Sequence, residues 1–189
     1  MRYEDEEFRD QDALPVLEGA AFSGCSFRSL DLTGASLRGA HLTDCSFEGC
    51  DLSAATLTDA LLHTVSFDTC RLTGVDFAAV REDAVGLTVA FDACDLSLAS
   101  FRSLDLRGCS LRACKCSETE FSGCDLREVT LAGNDFAAAT FEVCDLRGSD
   151  LRGSRNYLIS PLDNRVRGLK VDLPEALGLL AALEVRVGG

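Results

Sequence analysis

The chain has 189 residues, 47% of them hydrophobic and 26% charged, with a net charge of −13 at neutral pH. This composition suits one folded domain, and no run is long and apolar enough to suggest a membrane span. The acidic balance argues against direct nucleic-acid binding, and ten cysteines require a structural account.

Residues 1–16 are acidic, with Glu4, Asp5, Glu6, Glu7, Asp10 and Asp12. They are expected to lead into the fold rather than form it. From Leu17 a five-residue rhythm begins. Leu or Phe recurs at Phe22, Phe27, Leu32, Leu37, Leu42, Phe47, Leu52, Leu57, Leu62, Phe67, Leu72 and Phe77. A period of five fits neither a helix nor a flat strand. It fits a chain that turns a corner at every repeat, so that coils stack to bury a shared core. The expected fold is all-β, a four-sided parallel β-helix over residues 17–171, in which four repeats close one coil.

Each slot of the repeat has its own composition. Two residues before the Leu/Phe centre stands a small side chain such as Ala20, Cys25, Ala40, Cys45 or Cys50, pointing inward beside the centre. One residue before the centre the chain is usually polar and outward, as at Asp31, Ser36 and Asp51. Two residues after it Gly is frequent, as at Gly24 and Gly34, where a corner needs positive φ. Nine of the ten cysteines occupy the small inward slot and Cys116 occupies a centre, so they read as small buried hydrophobes. No leader segment is evident, and stacked cysteines would hold their Cβ vectors parallel; free thiols are therefore expected.

Residues 78–90 interrupt the rhythm, which resumes one residue out of phase at Phe91. Two readings are open: an irregular corner or bulge, or a projecting loop carrying Arg81, Glu82 and Asp83. The series then runs through Leu96, Phe101, Leu106, Leu111, Cys116, Phe121 and onward to Leu151. A coil of four repeats predicts aromatic ladders from Phe27, Phe47 and Phe67, and from Phe101, Phe121 and Phe141. It also stacks Asp105, Asp125 and Asp145 into an outward acidic stripe, and Asp31 and Asp51 into another. Arg107, Arg127 and Arg147, two residues on, would offset the repulsion.

Asn156–Asp163 breaks the pattern, yet Val166 and Val171 keep its phase and imply one more, irregular coil. Residues 172–189 open with Asp172, Pro174 and Glu175, which resemble a capping box and a helical first turn. Leu173, Ala176, Leu177, Leu180 and Leu183 would share a helical face, widened by Leu179 and Ala182. Such a helix suits a lid over the end of the rod. The apolar surplus also suits a symmetric dimer through Leu173, Leu177, Leu179, Leu180 and Leu183.

Nothing in the chain forms a nucleophile–base pair, a Gly-rich phosphate loop or a metal cluster, so no enzyme, cofactor or metal is expected. His41 and His63 fall in outward slots and read as surface residues.

The motif of Ala or Cys, Asp or Ser, Leu or Phe and two variable residues, repeated over 17–151, resembles the pentapeptide-repeat family. That resemblance implies a right-handed quadrilateral β-helix. The ending RNYLISPLDNRVRGLKVDLPEALGLLAAL resembles that of the quinolone-resistance, Qnr-like and MfpA-like, members. It implies a cytoplasmic bacterial protein, dimeric through its C-terminal end, that imitates duplex DNA and binds a type II topoisomerase, either gyrase or topoisomerase IV. Asp31, Asp51, Asp105, Asp125 and Asp145 would then be partner-binding residues. The chain shows one interruption rather than the two loops of the Qnr pattern. Charge is consistent with mimicry: residues 1–18 sum to −5, 19–150 to −10 and 151–189 to +2. The alternative is a scaffold or adaptor for a partner that is not a topoisomerase.

Overall fold

The chain winds into a parallel β-solenoid whose four sides each receive one inward centre per coil. A computed structural model describes residues 1–11, 14–84 and 86–185. Asp12 and Ala13 near the N-terminus, Val85 of the interruption and 186–189 of the tail lie outside the described residues. Strands β1 (Arg2–Glu4), β3 (Ala21–Ser23), β5 (His41–Thr43) and the start of β7 (Leu61–Asp68) stack on the first side. Strands β2 (Glu7–Phe8), β4 (Ser26–Arg28), β6 (Ser46–Glu48), the end of β7, β8 (Thr88–Asp92) and β9 (Ser110–Arg112) stack on the second. The third and fourth sides are held by single parallel bridges, such as Asp31 to Asp51 and Ser36 to Thr56. Neighbours on a side are separated by four repeats, as Phe27 and Phe47 are. The five-residue rhythm on a four-sided coil requires that spacing.

The acidic N-terminal segment is a correction to the sequence reading. Residues 2–8 do not merely lead into the rod but form its first coil. Tyr3 pairs with Phe22, Phe8 pairs with Phe27, and each ring stacks on its partner with centroids 5.0 Å apart. The Gln11 carboxamide extends the third side. It donates to the Asp31 carbonyl and accepts from the Asp31 N–H, as a strand's peptide group would.

The interruption resolves into a longer coil. Across it the register lengthens by four positions, as in Phe67 to Phe91 and Arg71 to Asp95. The extra length is absorbed partly by a register shift in β7 between His63 and Val65 and partly by an exposed loop at 81–84. The irregularity is thus a bulge in β7 together with a short exposed loop that covers fewer residues than the interruption in the rhythm. Phe77–Ala79 is a turn of 3₁₀-helix capped by the Asp76 carboxylate, and 88–90 is strand. Gly108 sits under this junction without positive φ. A Cβ there would lie 3.1 Å from the Leu87 carbonyl oxygen, so a side chain would have to push that carbonyl back by a few tenths of an ångström.

The longer coil also joins the aromatic ladders. On the second side the stack runs Phe8, Phe27, Phe47, Phe67 and Phe91. On the fourth it runs Phe77, Phe101, Phe121 and Phe141, nearly parallel rings with centroids 4.7–5.2 Å apart. The two stacks meet edge to face across the interior, as at Phe91 and Phe101.

The small inward slots are more than space fillers. All ten cysteines are free and buried. Cys45, Cys50, Cys124 and Cys144 each point their thiol at the carbonyl of a centre in the preceding coil. Thr119, Asn134, Ser154 and Asn164 make the same bond with stronger donors. The slot therefore selects a small side chain that can also donate to the coil before it. Burial pushes the Cys45 and Cys109 thiols up to about 11 and Cys124 to about 12, so these thiols are inert as nucleophiles.

At the C-terminal end Asp145 bridges Arg165 and Asp150 bridges Lys170, which completes the expected last coil. Helix α1 (Ala176–Ala182) follows. The expected capping box does not form. Glu175 is the N-cap residue with helical backbone angles and no side-chain cap, and the Asp172 carboxylate accepts instead from the Gly153 N–H at 2.8 Å.

Candidate interaction surface

The aspartate slot has a local role that the charge pattern alone does not show. The Oδ1 of Asp31, Asp51, Asp105 and Asp125 accepts from the N–H two residues on, at Thr33, Ser53, Arg107 and Arg127. Asp recurs there because it folds the chain around the centre as an Asx turn does.

The stripe of Asp105, Asp125 and Asp145 is present on the first side, but it is not a bare acidic face. Arg107, Arg127 and Arg147 each lay a guanidinium along the carboxylate of their own coil, with a terminal nitrogen 2.5–2.6 Å from Oδ2. Arg107 and Arg127 also approach the next coil's aspartate at 3.5 and 3.8 Å, and Arg165 approaches Asp145 at 3.5 Å. These arginines hold all three carboxyls below the usual carboxylate range, Asp145 at about 2. With three aspartates and four arginines, the stripe is an ion-pair ladder.

Asp31 and Asp51 head a column on the third side whose signs alternate below them. Arg71 binds Asp51 at 2.6 Å, Lys115 binds Asp95 at 3.2 Å, and Arg155 binds Asp135 at 2.8 Å. Of the five aspartates, Asp31 alone has no cation within ion-pair distance among the described residues. Hydrogen bonds from Thr33 hold it below the usual range.

A different acidic stripe lies on the second side. Glu48, Asp68 and Asp92 pair in register on β6, β7 and β8, and all three are exposed. Arg28 binds Glu48 from above, but among the described residues no cation reaches Asp68 or Asp92. The sequence reading missed this column because it occupies the slot after the centre, and because Asp92 aligns only through the longer coil. The signal was present in the three Phe-acidic pairs at 47–48, 67–68 and 91–92. It fits a wider asymmetry: residues 1–92 hold 17 acidic and 6 basic residues, whereas 93–189 hold 14 and 12.

Arg81, Glu82 and Asp83 are exposed on the loop of the first side. The loop folds back onto the rod. Arg81 approaches His41 at 3.3 Å, and Asp83 approaches His63 at 3.1 Å. The two histidines are thus contact residues of the loop rather than unengaged surface.

Helix α1 departs from the sequence reading at Leu179. Leu179, expected in the surplus, packs against the core, and Ala176 and Ala182 are half-buried. Leu173, Leu177, Leu180 and Leu183 are exposed, and so are Leu158, Leu162 and Val185 nearby. Within one chain the helix covers little of the rod's end, so an apolar face remains open.

No group of three or more His, Cys, Asp or Glu among the described residues has metal-binding geometry. Among the described residues no helix is long and apolar enough to cross a membrane.

No curated protein matches the chain by sequence. Among solved structures, a trypsin-treated variant of QnrB1, a plasmid-mediated fluoroquinolone resistance protein, superposes with a TM-score of 0.63. Identity is 20%, over 99% of this chain and 97% of that one. Full-length QnrB1 gives a TM-score of 0.51 at 19% identity, over 97% of each chain. At these identities the likeness is one of fold. The family described as pentapeptide repeat region matches residues 20–82 and 87–156, leaving out only the loop between them and the two ends. With its four-repeat coils and inward Leu/Phe ladder, the chain belongs to the pentapeptide-repeat family.

Proposed function

We propose that this protein imitates duplex DNA, binds a bacterial type II topoisomerase, gyrase or topoisomerase IV, in the cytoplasm, and modulates it or protects it against quinolone-like poisons. The observation that carries the reading is the exposed acidic column Glu48–Asp68–Asp92 on the acidic half of the rod, flanked in register by Arg28 and Arg112, in which Asp68 and Asp92 have no cation within ion-pair distance among the described residues. Its acidic groups recur once per coil, at about 4.8 Å. DNA carries one charge per about 1.7 Å of axis. The mimic is sparser than DNA, but its sign and rod shape suit a basic DNA-binding channel. The fold-level likeness to QnrB1 supports the same reading. We assign no catalysis, cofactor or direct nucleic-acid binding to the chain.

A second copy is the proposed partner of the open leucine face of α1, which would place two acidic halves at opposite ends of a longer rod. The decisive experiment is a gyrase supercoiling assay with and without a fluoroquinolone. Inhibition of supercoiling, or relief of drug-stabilised cleavage, is the expected result. If neither occurs, the reading fails and the adaptor reading replaces it. The charge-balanced ladder on the first side favours that alternative, because such a surface has no need of a basic channel.

A further inference from the structure

The chain has two histidines, and both contact the same loop. His41 in β5 and His63 in β7 stand one coil apart on the first side, where His41 pairs with Leu61 and Thr43 with His63. The two contacts need opposite proton inventories. A guanidinium has only donors, so a terminal N–H of Arg81 donates and the Nε2 of His41 must accept. A carboxylate accepts, so the Nε2 of His63 carries a proton and donates to Asp83. The neutral His41 tautomer is therefore protonated on Nδ1 and that of His63 on Nε2.

We propose that His41 and His63 form a two-ended, pH-sensitive latch on residues 81–84, in which acidification releases the Arg81 end and tightens the Asp83 end. Imidazole is the side chain whose charge ordinarily changes between about pH 5 and 8. A protonated His41 loses the lone pair that receives Arg81 and faces a guanidinium of like charge. A protonated His63 still donates to Asp83 and gains an ion pair with it. The loop then pivots about Asp83 and swings the Arg81 side chain and Glu82 away from the rod, while the Arg81 N–H stays bonded to the Ala60 carbonyl at 2.8 Å.

The surrounding charges leave this contrast in place. On the loop they are Arg81, Glu82 and Asp83. Asp44 closes the corner after β5, its N–H bonded to the His63 carbonyl at 3.0 Å. Asp59 precedes β7, and its N–H donates to the Ala79 carbonyl. β3 supplies only Ala21 and Ser23, and Thr88 of β8 pairs beside His63. Arg2 and Glu4 of β1, already paired with each other, stand two coils above His41; Asp105 and Arg107, likewise paired, follow the loop below.

The test places a nitroxide on the exposed loop through Glu82→Cys in the full chain. All ten native thiols are buried, so the new one is labelled selectively. Label mobility is expected to rise as the pH falls from about 8 to about 5. His41→Gln keeps an amide acceptor for Arg81 at every pH and is expected to abolish that rise. His63→Ala removes the Asp83 anchor and is expected to raise mobility at both extremes. Trypsin cleavage after Arg81 in the unlabelled protein, normalised to a peptide of the same sequence at each pH, should follow the same pattern. The latch is refuted if parent mobility and normalised cleavage do not change with pH, or if His41→Gln leaves the change intact.

Discussion

Arg127 lies along Asp125 with both edges of its guanidinium engaged, Nε at 2.9 Å from Oδ1 and the terminal nitrogen at 2.6 Å from Oδ2. The Asp125 Oδ1 also accepts the Arg127 N–H, so one side chain closes the corner and orients the cation above the next coil's Asp145. This unit repeats at Asp105–Arg107 and Asp145–Arg147, and again at Asp150–Arg152 on the second side. A surface ladder of this kind contributes little per pair, but its members are geometrically fixed.

The ladder sets an acid dependence. Arg147 and Arg152 hold Asp145 and Asp150 at about 2 in the folded chain. Unfolded aspartate titrates near about 3.9. A depressed folded value means the unfolded chain binds protons first as the pH drops, so stability is full above about pH 4 and lost toward pH 2. Melting temperature measured across that window should fall steeply in the parent. In Asp145→Asn with Asp150→Asn the fall should be shallower, and the two curves should converge near pH 2. Parallel curves would show that these carboxylates carry none of the acid dependence.

The aromatic stack gives a packing prediction. Phe121 lies between Phe101 at 5.2 Å and Phe141 at 5.0 Å, with Phe136 edge-on at 6.0 Å, and it is fully buried. A β-helix core this narrow cannot collapse sideways, because the coils above and below fix its width. Phe121→Ala should therefore cost about 3–5 kcal/mol in denaturant unfolding. A loss below about 1 kcal/mol would mean that the neighbouring rings close over the cavity.

The open helix face predicts association. Leu177 and Leu180 are exposed on α1 while Leu179 faces the rod. Leu177→Glu or Leu180→Glu should yield monomers in sedimentation equilibrium whose melting temperature no longer rises with protein concentration, because neither side chain is part of the core. Leu179→Glu should lower the melting temperature instead. A parent protein that sediments as a monomer at micromolar concentration would show that α1 does not join copies.

These tests separate what the pattern encoded from what it left open. The centres were legible because a five-residue period admits one geometry, and Phe27, Phe47 and Phe67 had to stack once the coil closed after four repeats. The small-slot thiols were legible for the same reason. The first coil was not, because Tyr3 and Phe8 lack the small residue two positions earlier that marks a repeat. The docking face of α1 was not, because AALEV and its preceding leucines are apolar around most of the helix, so periodicity could not choose between Leu179 and Leu180. The outward aspartates were found in position but misread in role. Spacing shows that Asp125 points outward; it does not show that Arg127 folds back onto it.

That misreading changes the functional test. Charge reversal of Asp105, Asp125 and Asp145 would remove three turn acceptors and place lysines beside Arg107, Arg127 and Arg147, so it would destabilise the rod whatever the partner. The informative variant is Glu48→Gln with Asp68→Asn and Asp92→Asn, which removes the negative charge without stacking new cations between Arg28 and Arg112. These side chains are exposed, and Asp68 and Asp92 have no cation within ion-pair distance among the described residues, so the fold should keep its melting temperature to within a few degrees. If the acidic column docks in a DNA-binding channel, parent binding to gyrase should weaken as salt rises and be displaced by duplex DNA. The triple variant should lose that binding and its effect on supercoiling together. Arg81→Ala with Glu82→Ala should reduce binding less, since the loop lies on the first side and the column on the second. A triple variant that binds as tightly as the parent would remove the column from the interface, even if the parent inhibits the enzyme.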